Sequence, residues 1–458
     1  MEIKEIIASA ALQMPEHIRH CERVRKCEAY YHKQNDILSI TKSMGLSTAD
    51  SRLCSNYYRV DVTQKTGYMF TRPPKILTGD PELDTGITRT LGAYFAEFCR
   101  DVSVWGCHAG TAWGHYWAED GRFMYAAVDP KNILPVYSQT PRPQIEGVVH
   151  WELVFDTDGT GSMIIDVWNS EACYRYVKPA SYNFLRDEWG QKTARIDSVQ
   201  LPEPDEEPAE VIIHGFGEIP FIPFKASDGP ELYMAKDYID ALDLMQSQFV
   251  DNLQAFAEAF YILSGYDGED EESFLRKVQE FKVVIMQQFD FGGNQSGGLE
   301  TVTTEIPVEA RTKIIDYLRT AIIENMMMYD PDPEVFGNAS GVALNHKFRN
   351  LELKCGETQT GFEPGFDRLA KAALRFIGVG TDSLSVEQVW TRNKMDGIPD
   401  KSAEERIAMA RDIAGLNMVS DQTIMGKLLY DIVPDPEAER ELYNAEHGLP
   451  GLFSDDLG

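Results

Sequence analysis

Between residues 229 and 378 the chain repeats apolar side chains every three or four positions along segments too long to lie inside one compact domain. The first segment opens after Ser227-Asp228-Gly229-Pro230, which offers capping side chains and a proline suited to the first helical position. Its stripe of Ile239, Leu242, Met245, Phe249, Leu253, Phe256, Phe260 and Leu263 predicts one unbroken helix that stops at Ser264-Gly265. A second stripe of Ile314, Leu318, Ile322 and Met326 predicts a helix from near Pro307 to Tyr329, ended by Asp330-Pro331-Asp332-Pro333, where prolines deny the helix its donors. After Phe336-Gly337-Asn338-Ala339-Ser340-Gly341 a third pattern runs over 342–377, with Gly356, Gly361 and Pro364 as interruptions and a kink expected at Pro364. Long helices with one narrow stripe each leave apolar surface that a single copy cannot cover. Neighbouring copies are therefore expected to supply the missing contacts.

The insert between the first two helices reads as a small α/β unit. It has an acidic head (Asp267, Glu269, Asp270, Glu271, Glu272), a short helix over 273–281, strands over 282–286 and 299–303, and a glycine-rich turn over 292–298. Upstream, residues 1–50 read as helical and polar, with Arg19, Arg23, Arg25 and Lys26 forming a basic patch that is either a solvated helix face or a nucleic-acid contact. Residues 56–74 pass from a short helix into an extended Tyr68-Met69-Phe70, and 87–107 looks helical. Short aromatic and β-branched runs over 111–117, 123–128, 133–137, 147–155, 162–168 and 172–177, broken by Asp120-Gly121 and Asp158-Gly159, predict antiparallel hairpins. Runs over 184–193 and 211–216 continue them across the charged, proline-rich loop 201–208. After Gly378 the chain reads as mostly helical, with starts at Ser402, Ser420 and Asp435-Pro436.

At 458 residues, 43% hydrophobic and 11% aromatic, the chain has material for two or three domains with cores of their own. Its formal net charge of -30 argues against a protein that wraps DNA, because such affinity grows with every phosphate a Lys or Arg neutralises. It suits either a non-adhesive wall along which a duplex slides or simply solubility. Seven cysteines, an odd number with no CxxC pair, suit reduced thiols. With no cationic start before an apolar core and no apolar run approaching ~18 residues, neither a signal peptide nor a membrane span is expected.

Catalytic patterns are sparse. The Gly292–Gly298 turn lacks the GK[ST] ending that places a lysine on phosphates, and no HExxH or GxSxG appears. Cys107, His108 and His115 are close in sequence but lack a clear fourth ligand, so they are read either as a metal set or as ordinary buried side chains. Asp330 and Asp332 sit beside prolines and are expected to shape a turn rather than act as an acid and base pair. No enzymatic activity and no cofactor is expected.

An ordered series of motifs resembles the portal proteins of tailed bacteriophages, siphophage type. Tyr30-Tyr31-His32-Lys33-Gln34-Asn35-Asp36-Ile37-Leu38 is similar to the family's N-terminal tyrosine motif. Asn56 to Tyr58, Thr66-Gly67-Tyr68-Met69-Phe70 and Arg72-Pro73 resemble its next conserved block, and Gly217-Glu218-Ile219-Pro220-Phe221-Ile222-Pro223-Phe224 its strand leading to the stem. Asp240 to Leu263, Ile306-Pro307-Val308-Glu309-Ala310, Phe336 to Leu344, Trp390-Thr391-Arg392-Asn393 and Asp435-Pro436-Glu437-Ala438-Glu439 complete the order.

The resemblance implies an α+β portal fold: a peripheral α/β wing with N-terminal helices (1–228), a long-helix stem (229–265 and 306–329), a small α/β clip (266–305), a tunnel loop (330–341), a kinked tunnel helix returning to the wing (342–384) and a helical crown with the tail (385–458). It also implies a dodecameric ring, through which double-stranded DNA passes at one capsid vertex. The implied partners are a terminase ATPase, major capsid and scaffolding proteins, and neck or adaptor proteins, with no membrane. The loop residues Asp330, Asp332, Glu334, Val335, Phe336, Gly337, Asn338, Ser340 and Gly341 would then narrow the channel. Asn345, His346, Lys347, Arg349 and Lys354 would offer a polar face that either touches phosphates or makes subunit salt bridges. Asp267, Glu269, Asp270, Glu271, Glu272, Gln287 and Asn294 would dock the motor and neck. The competing readings are a virion scaffold or adaptor without a bore, and an enzyme acting on DNA or nucleotide.

Overall fold

The computed structural model describes residues 1–40, 50–155, 161–186, 192–256, 260–264, 283–286, 299–302, 308–330, 341–381, 384–390, 407, 410–413, 439–440 and 442. It is a mixed helix and sheet protein that divides into two compact units. The first comprises 1–331 and 348–393. The second comprises 332–347 and 394–458, of which the opening turns of one helix and a few residues near 410 and 440 are described.

In the first unit a five-stranded antiparallel sheet has the order β10-β7-β6-β5-β4, from Glu210–Ile213, Ala172–Pro179, Gly161–Trp168, Ile145–Phe155 and Ile133–Tyr137. One face, with Val149, Trp151, Met163, Ile165, Val167 and Tyr176, packs on Ile6, Ile7 and Ala10 of α1 (Ile3–Tyr31). On the other, Val148 shares a core with Trp113 and Phe221 of a neighbouring three-stranded sheet and with Ile219, which just precedes one of its strands. Burial on both faces is why residues 147–151 in the middle of β5 are buried in succession rather than alternately. The three-stranded sheet has the order β11-β2-β3, from Phe221–Lys225, Thr111–Glu119 and Arg122–Val128. Its β2–β3 hairpin turns through Asp120 (φ 49°) and Gly121 (φ 71°), the pair of positive dihedrals a two-residue hairpin needs. Asp158-Gly159, the other expected turn, lies outside the described residues.

Three expectations need correction. Tyr68-Met69-Phe70 is helical, the end of α2 (Tyr57–Phe70), because Tyr58, Asp61, Val62, Lys65 and Met69 fall on one buried face at helical spacing. The segment 87–107 is two helices, α3 (Pro81–Leu91) and α4 (Phe95–Ala109), parted at Gly92 with φ 64°. The stem helix does not reach Ser264. A short 3-10 turn (Glu231–Met234) leads into α5 (Lys236–Phe256), and Phe260–Ser264 is strand β12. That strand pairs parallel to β13 (Val283–Met286) and antiparallel to β14 (Leu299–Val302), as the centre of a three-stranded sheet. Four consecutive apolar residues at 260–263 suit a central strand, although Phe260 and Leu263 also continue the helical spacing of α5.

The remaining long elements are α6 (Val308–Asn325) and α7 (Gly341–Phe376), the latter unbroken through Gly356, Gly361 and Pro364. A two-stranded pairing of β1 (Lys75–Leu77) with β15 (Glu387–Val389) closes the unit, while β8 (Ser181–Arg186) and β9 (Lys192–Ser198) form a separate hairpin. Residues 265–282, 287–298 and 331–340, and most of the expected crown, lie outside the description.

Candidate DNA-channel elements and their anchorage

The root of the helical hairpin is a small core. Ile239 and Leu242 of α5 bury against Leu318 and Ile322 of α6 and Met326 just beyond it, with Met245, Ile315 and Ile323 partly buried around them. Each such fully buried aliphatic side chain contributes about 1.5–3 kcal/mol. Farther along, the covering fails: Leu253 is 47%, Ile314 46% and Tyr317 65% exposed.

The opposite side of α5 is polar and holds residues 51–55 as a strap. The Ser51 amide donates to Asp251 Oδ1 at 2.7 Å, the Leu53 amide to Ser247 Oγ at 2.9 Å and the Ser55 amide to Asp243 Oδ1 at 2.7 Å. The acceptors recur every fourth residue of a helix, about 6 Å apart, and the donors every second residue of an extended chain, about 6.6 Å apart. Two repeats of nearly equal length let three consecutive bonds form without distortion. Asn35 donates to Asp243 Oδ2 and to Ser55 O, tying the strap's end to the segment after α1.

Between α6 and α7 lies the loop expected to line a channel, and both of its ends are fixed. The α6 terminus closes with the Met328 amide donating to Ile323 O at 2.9 Å around Met327, whose φ of 54° is one that glycine usually adopts. Gln64 of α2 then grips the Tyr329 backbone, donating to its carbonyl at 2.9 Å and accepting from its amide at 3.0 Å. The Tyr329 ring lies on Phe348 of α7 at 4.0 Å and 7°. Asp330 is paired with Arg319 at 2.6 Å. The chain that leaves at Tyr329 thus returns at Phe348 to the same point.

Below this neck α2, α7, the turn before α5 and the end of α6 meet at a buried chain of four charges. Lys354 Nζ lies 2.8 Å from both Asp61 oxygens and 2.8 Å from Glu231 Oε2, and donates to Met326 O at 3.1 Å. Lys65 pairs with the other Glu231 oxygen. Two lysines and two carboxylates cancel, which is what permits side chains that are 7%, 0%, 1% and 1% exposed to stay ionised together. Burial pushes the Asp61 carboxyl up to about 6, against the pull of Lys354 and with a further push from Glu231. Burial opposes ionisation of Glu231 too, but Lys65 and Lys354 outweigh it and hold that carboxyl at about 2.

Helix α7 is pressed against β11 just beyond the cluster. Thr358 Oγ1 donates to Ala226 O at 3.1 Å, a Cβ on Gly361 would stand 2.1 Å from Lys225 O, and one on Gly365 would stand 2.5 Å from the Phe224 ring. These glycines are contact points for a crossing strand, not interruptions of the helix.

A family model described as "Phage portal protein, SPP1 Gp6-like" matches residues 14–447. The portal protein of Clostridium phage phiCD119 is 32% identical over 415 residues, covering 86% of this chain and 86% of that one. This chain belongs to the SPP1 Gp6-like family of phage portal proteins. The portal protein of Bacillus phage SPP1 is 23% identical over 497 aligned positions, covering 100% of this chain and 93% of that one. Among solved structures, chains from the virion of a native gene transfer agent particle (TM-score 0.41, 11% identity, 81% of this chain and 89% of that one) and from the neck of an empty one (0.43, 12%, 82% and 90%) are similar at a level that carries no structural argument.

In this portal protein the expected site residues fall into three groups. Asp332, Glu334, Val335, Phe336, Gly337, Asn338 and Ser340 of the loop, and Asp267, Glu269, Asp270, Glu271, Glu272, Gln287 and Asn294 of the insert, lie outside the described residues. Gly341, Asn345, His346 and Lys347 are in the first turns of α7, and Arg349 is exposed on it. Lys354 corrects the reading of a polar face: its ammonium is spent on Asp61, Glu231 and Met326 O inside the protein and is not presented to a phosphate. Sequence reasoning missed Asp61, Lys65 and Glu231. The available signal was an acid and a base four residues apart on the apolar face of α2.

The Cys107, His108 and His115 group separates. His108 Nδ1 is 2.8 Å from the Tyr58 hydroxyl, whereas His115 stacks on Phe221 at 4.2 Å. Burial lowers the two histidines to about 3 and about 4, so both are neutral. Three of the four cations of the basic patch on α1 are likewise engaged within the chain: Arg19 with Glu16, Arg23 over the Tyr233 ring at 4.7 Å, and Lys26 with Asp36 at 2.5 Å.

Proposed function

We propose that copies of this portal protein close head to tail into a ring of about twelve, through which double-stranded DNA is packaged, retained and released at one capsid vertex. In that ring 1–228 serves as the wing, α5 and α6 as the stem, the β12–β14 insert as the clip, the 330–341 loop with α7 as the tunnel lining and 385–458 as the crown. The observation that carries the reading is the uncovered apolar surface of the hairpin, with Ile314 and Tyr317 three residues apart on α6 and Leu253 on α5. A neighbour's hairpin is the surface of matching length.

A circle of about twelve helices ~10 Å apart has a centreline ~120 Å around and ~38 Å across, which leaves a hole of ~28 Å after one helix diameter is subtracted. A duplex needs more than ~17 Å, twice its major-groove depth. An acidic wall would keep its contact with the phosphates weak, consistent with the net charge of -30. The work of translocation would come from a separate terminase ATPase docked at the clip, where neck or adaptor proteins later bind. Capsid and scaffolding proteins would surround the wing during assembly in the host cytoplasm. The test is Ile314→Asp with Tyr317→Asp: both side chains are exposed in the subunit, so the circular dichroism spectrum should stay unchanged while rings disappear from size-exclusion profiles. Rings of undiminished yield would overturn the proposal.

A further inference from the structure

The neighbourhood of β1 has a feature that neither a channel nor the family explains. A groove of about 850 Å³ opens between β1 and helices α3 and α4, a size typical of small-ligand and short-peptide sites. Its floor is apolar, made by Ile76, Ile87, Leu91 and Phe95, all buried. Arg72, Lys75 and Arg89 also line it and are exposed, and among the described residues none of the three has an ion-pair or side-chain hydrogen-bond partner. Asp84, the one acid in the lining, is turned to the Thr78 amide and hydroxyl at 2.7 and 2.8 Å, so cations outnumber acids three to one around the groove. Three unanswered cations around one apolar groove stand out in a chain with 43 basic and 73 acidic residues. All three residues of β1 line the groove, and among the described residues that strand pairs on one edge only, with β15.

We propose that this groove binds an extended acidic peptide segment of another protein, which adds a strand to the open edge of β1, seats a bulky apolar side chain on the floor and places acidic side chains on Arg72, Lys75 and Arg89. A strand repeats its facing every second residue, ~6.6 Å apart, so the fitting pattern is an apolar residue with acids two positions to either side. The cations fix the sign of the partner and the floor fixes its anchor. A basic partner would be repelled, and a purely apolar one would leave the rim unanswered.

The test is fluorescence anisotropy on the full chain with a labelled Gly-Asp-Ser-Phe-Ser-Asp-Gly peptide. Saturable binding is expected, weakened at least about tenfold when both Asp are replaced by Lys, when Phe is replaced by Ser, or in the Arg72→Glu/Arg89→Glu protein. It should also weaken as salt rises. Both arginines are exposed, so an unchanged circular dichroism spectrum is expected for that variant. No binding by the parent chain, or equal binding of the Lys peptide, overturns the proposal. Binding to dissociated subunits but not to assembled rings overturns it too, since a second copy would then be the occupant.

Discussion

Replacing Lys354 by Met removes the ammonium that stands between two buried carboxylates while keeping an unbranched side chain of similar length. Asp61, fully buried, loses both of its 2.8 Å contacts, Glu231 keeps only Lys65, and the Met326 carbonyl loses its donor. Stranding one partner of a buried ion pair costs about 3–5 kcal/mol, which is roughly two to nearly four decades in the unfolding equilibrium. Removing both members, as in Asp61→Leu/Lys354→Met, leaves the Lys65–Glu231 pair neutral and no unpaired charge, with only the Met326 carbonyl short of a donor, and such replacements are often neutral or stabilising by about 1–4 kcal/mol. The assay is urea unfolding followed by circular dichroism at pH 7.5, with all variants at one protein concentration because assembly is linked to stability. The expected order is the single variant far below the parent and the double variant at or above it. A single variant within about 1 kcal/mol of the parent, or a double variant as weak as the single, would refute the view that this cluster is a buried, mutually neutralising set.

The same cluster gives stability a pH dependence. Asp61, held at about 6 in the fold, is raised above its unfolded value, so its contribution is fully present below about pH 4 and is lost as pH rises through about 6. Glu231, held at about 2, is the reverse, and its contribution is lost only as pH falls from about 4 through about 2. From pH 7 to pH 4.5 the unfolding free energy of the parent should therefore gain on that of Asp61→Asn by up to about 2 kcal/mol, and a flat difference would contradict the assignment. For the strap, Ser247→Ala/Asp251→Ala removes two of the three acceptors, and tryptic cleavage after the exposed Arg52 should quicken about tenfold or more; an unchanged rate would mean the bonds hold nothing down. Deleting residues 331–340 leaves the Tyr329–Phe348 stack to close the chain, so subunits should still fold and form rings while packaged DNA is lost from particles more readily. Full packaging and retention in that deletion would deny the loop a gating role.

What could be read from the sequence was local. The Asp120-Gly121 hairpin, a helical turn directly after Pro230 and the start of α6 directly after Pro307 each depend on residues within a few positions of one another. Strand β12 could not be read, because Phe260 and Leu263 continue a helical spacing and only partners 22 to 42 residues away, β13 and β14, make that segment a strand. Lys354 was misread for the same reason: its partners Asp61 and Glu231 lie far off in sequence, so on a helical wheel it is one more polar residue. Gly361 reads as a break in the sequence because its reason, the crossing of Lys225, comes from a distant segment. The order of short motifs along the chain carried the family, and the match over 14–447 agrees with it.

The account rests on a hairpin that leaves apolar surface for its neighbours to cover, and the mass and end-on appearance of the purified assembly test that most directly. Native mass spectrometry with electron micrographs down the symmetry axis should show closed rings of about twelve copies around a hole of ~28 Å, wide enough for a duplex. A monodisperse 51.7 kDa subunit that persists at high concentration, or an assembly without a central hole, would contradict it.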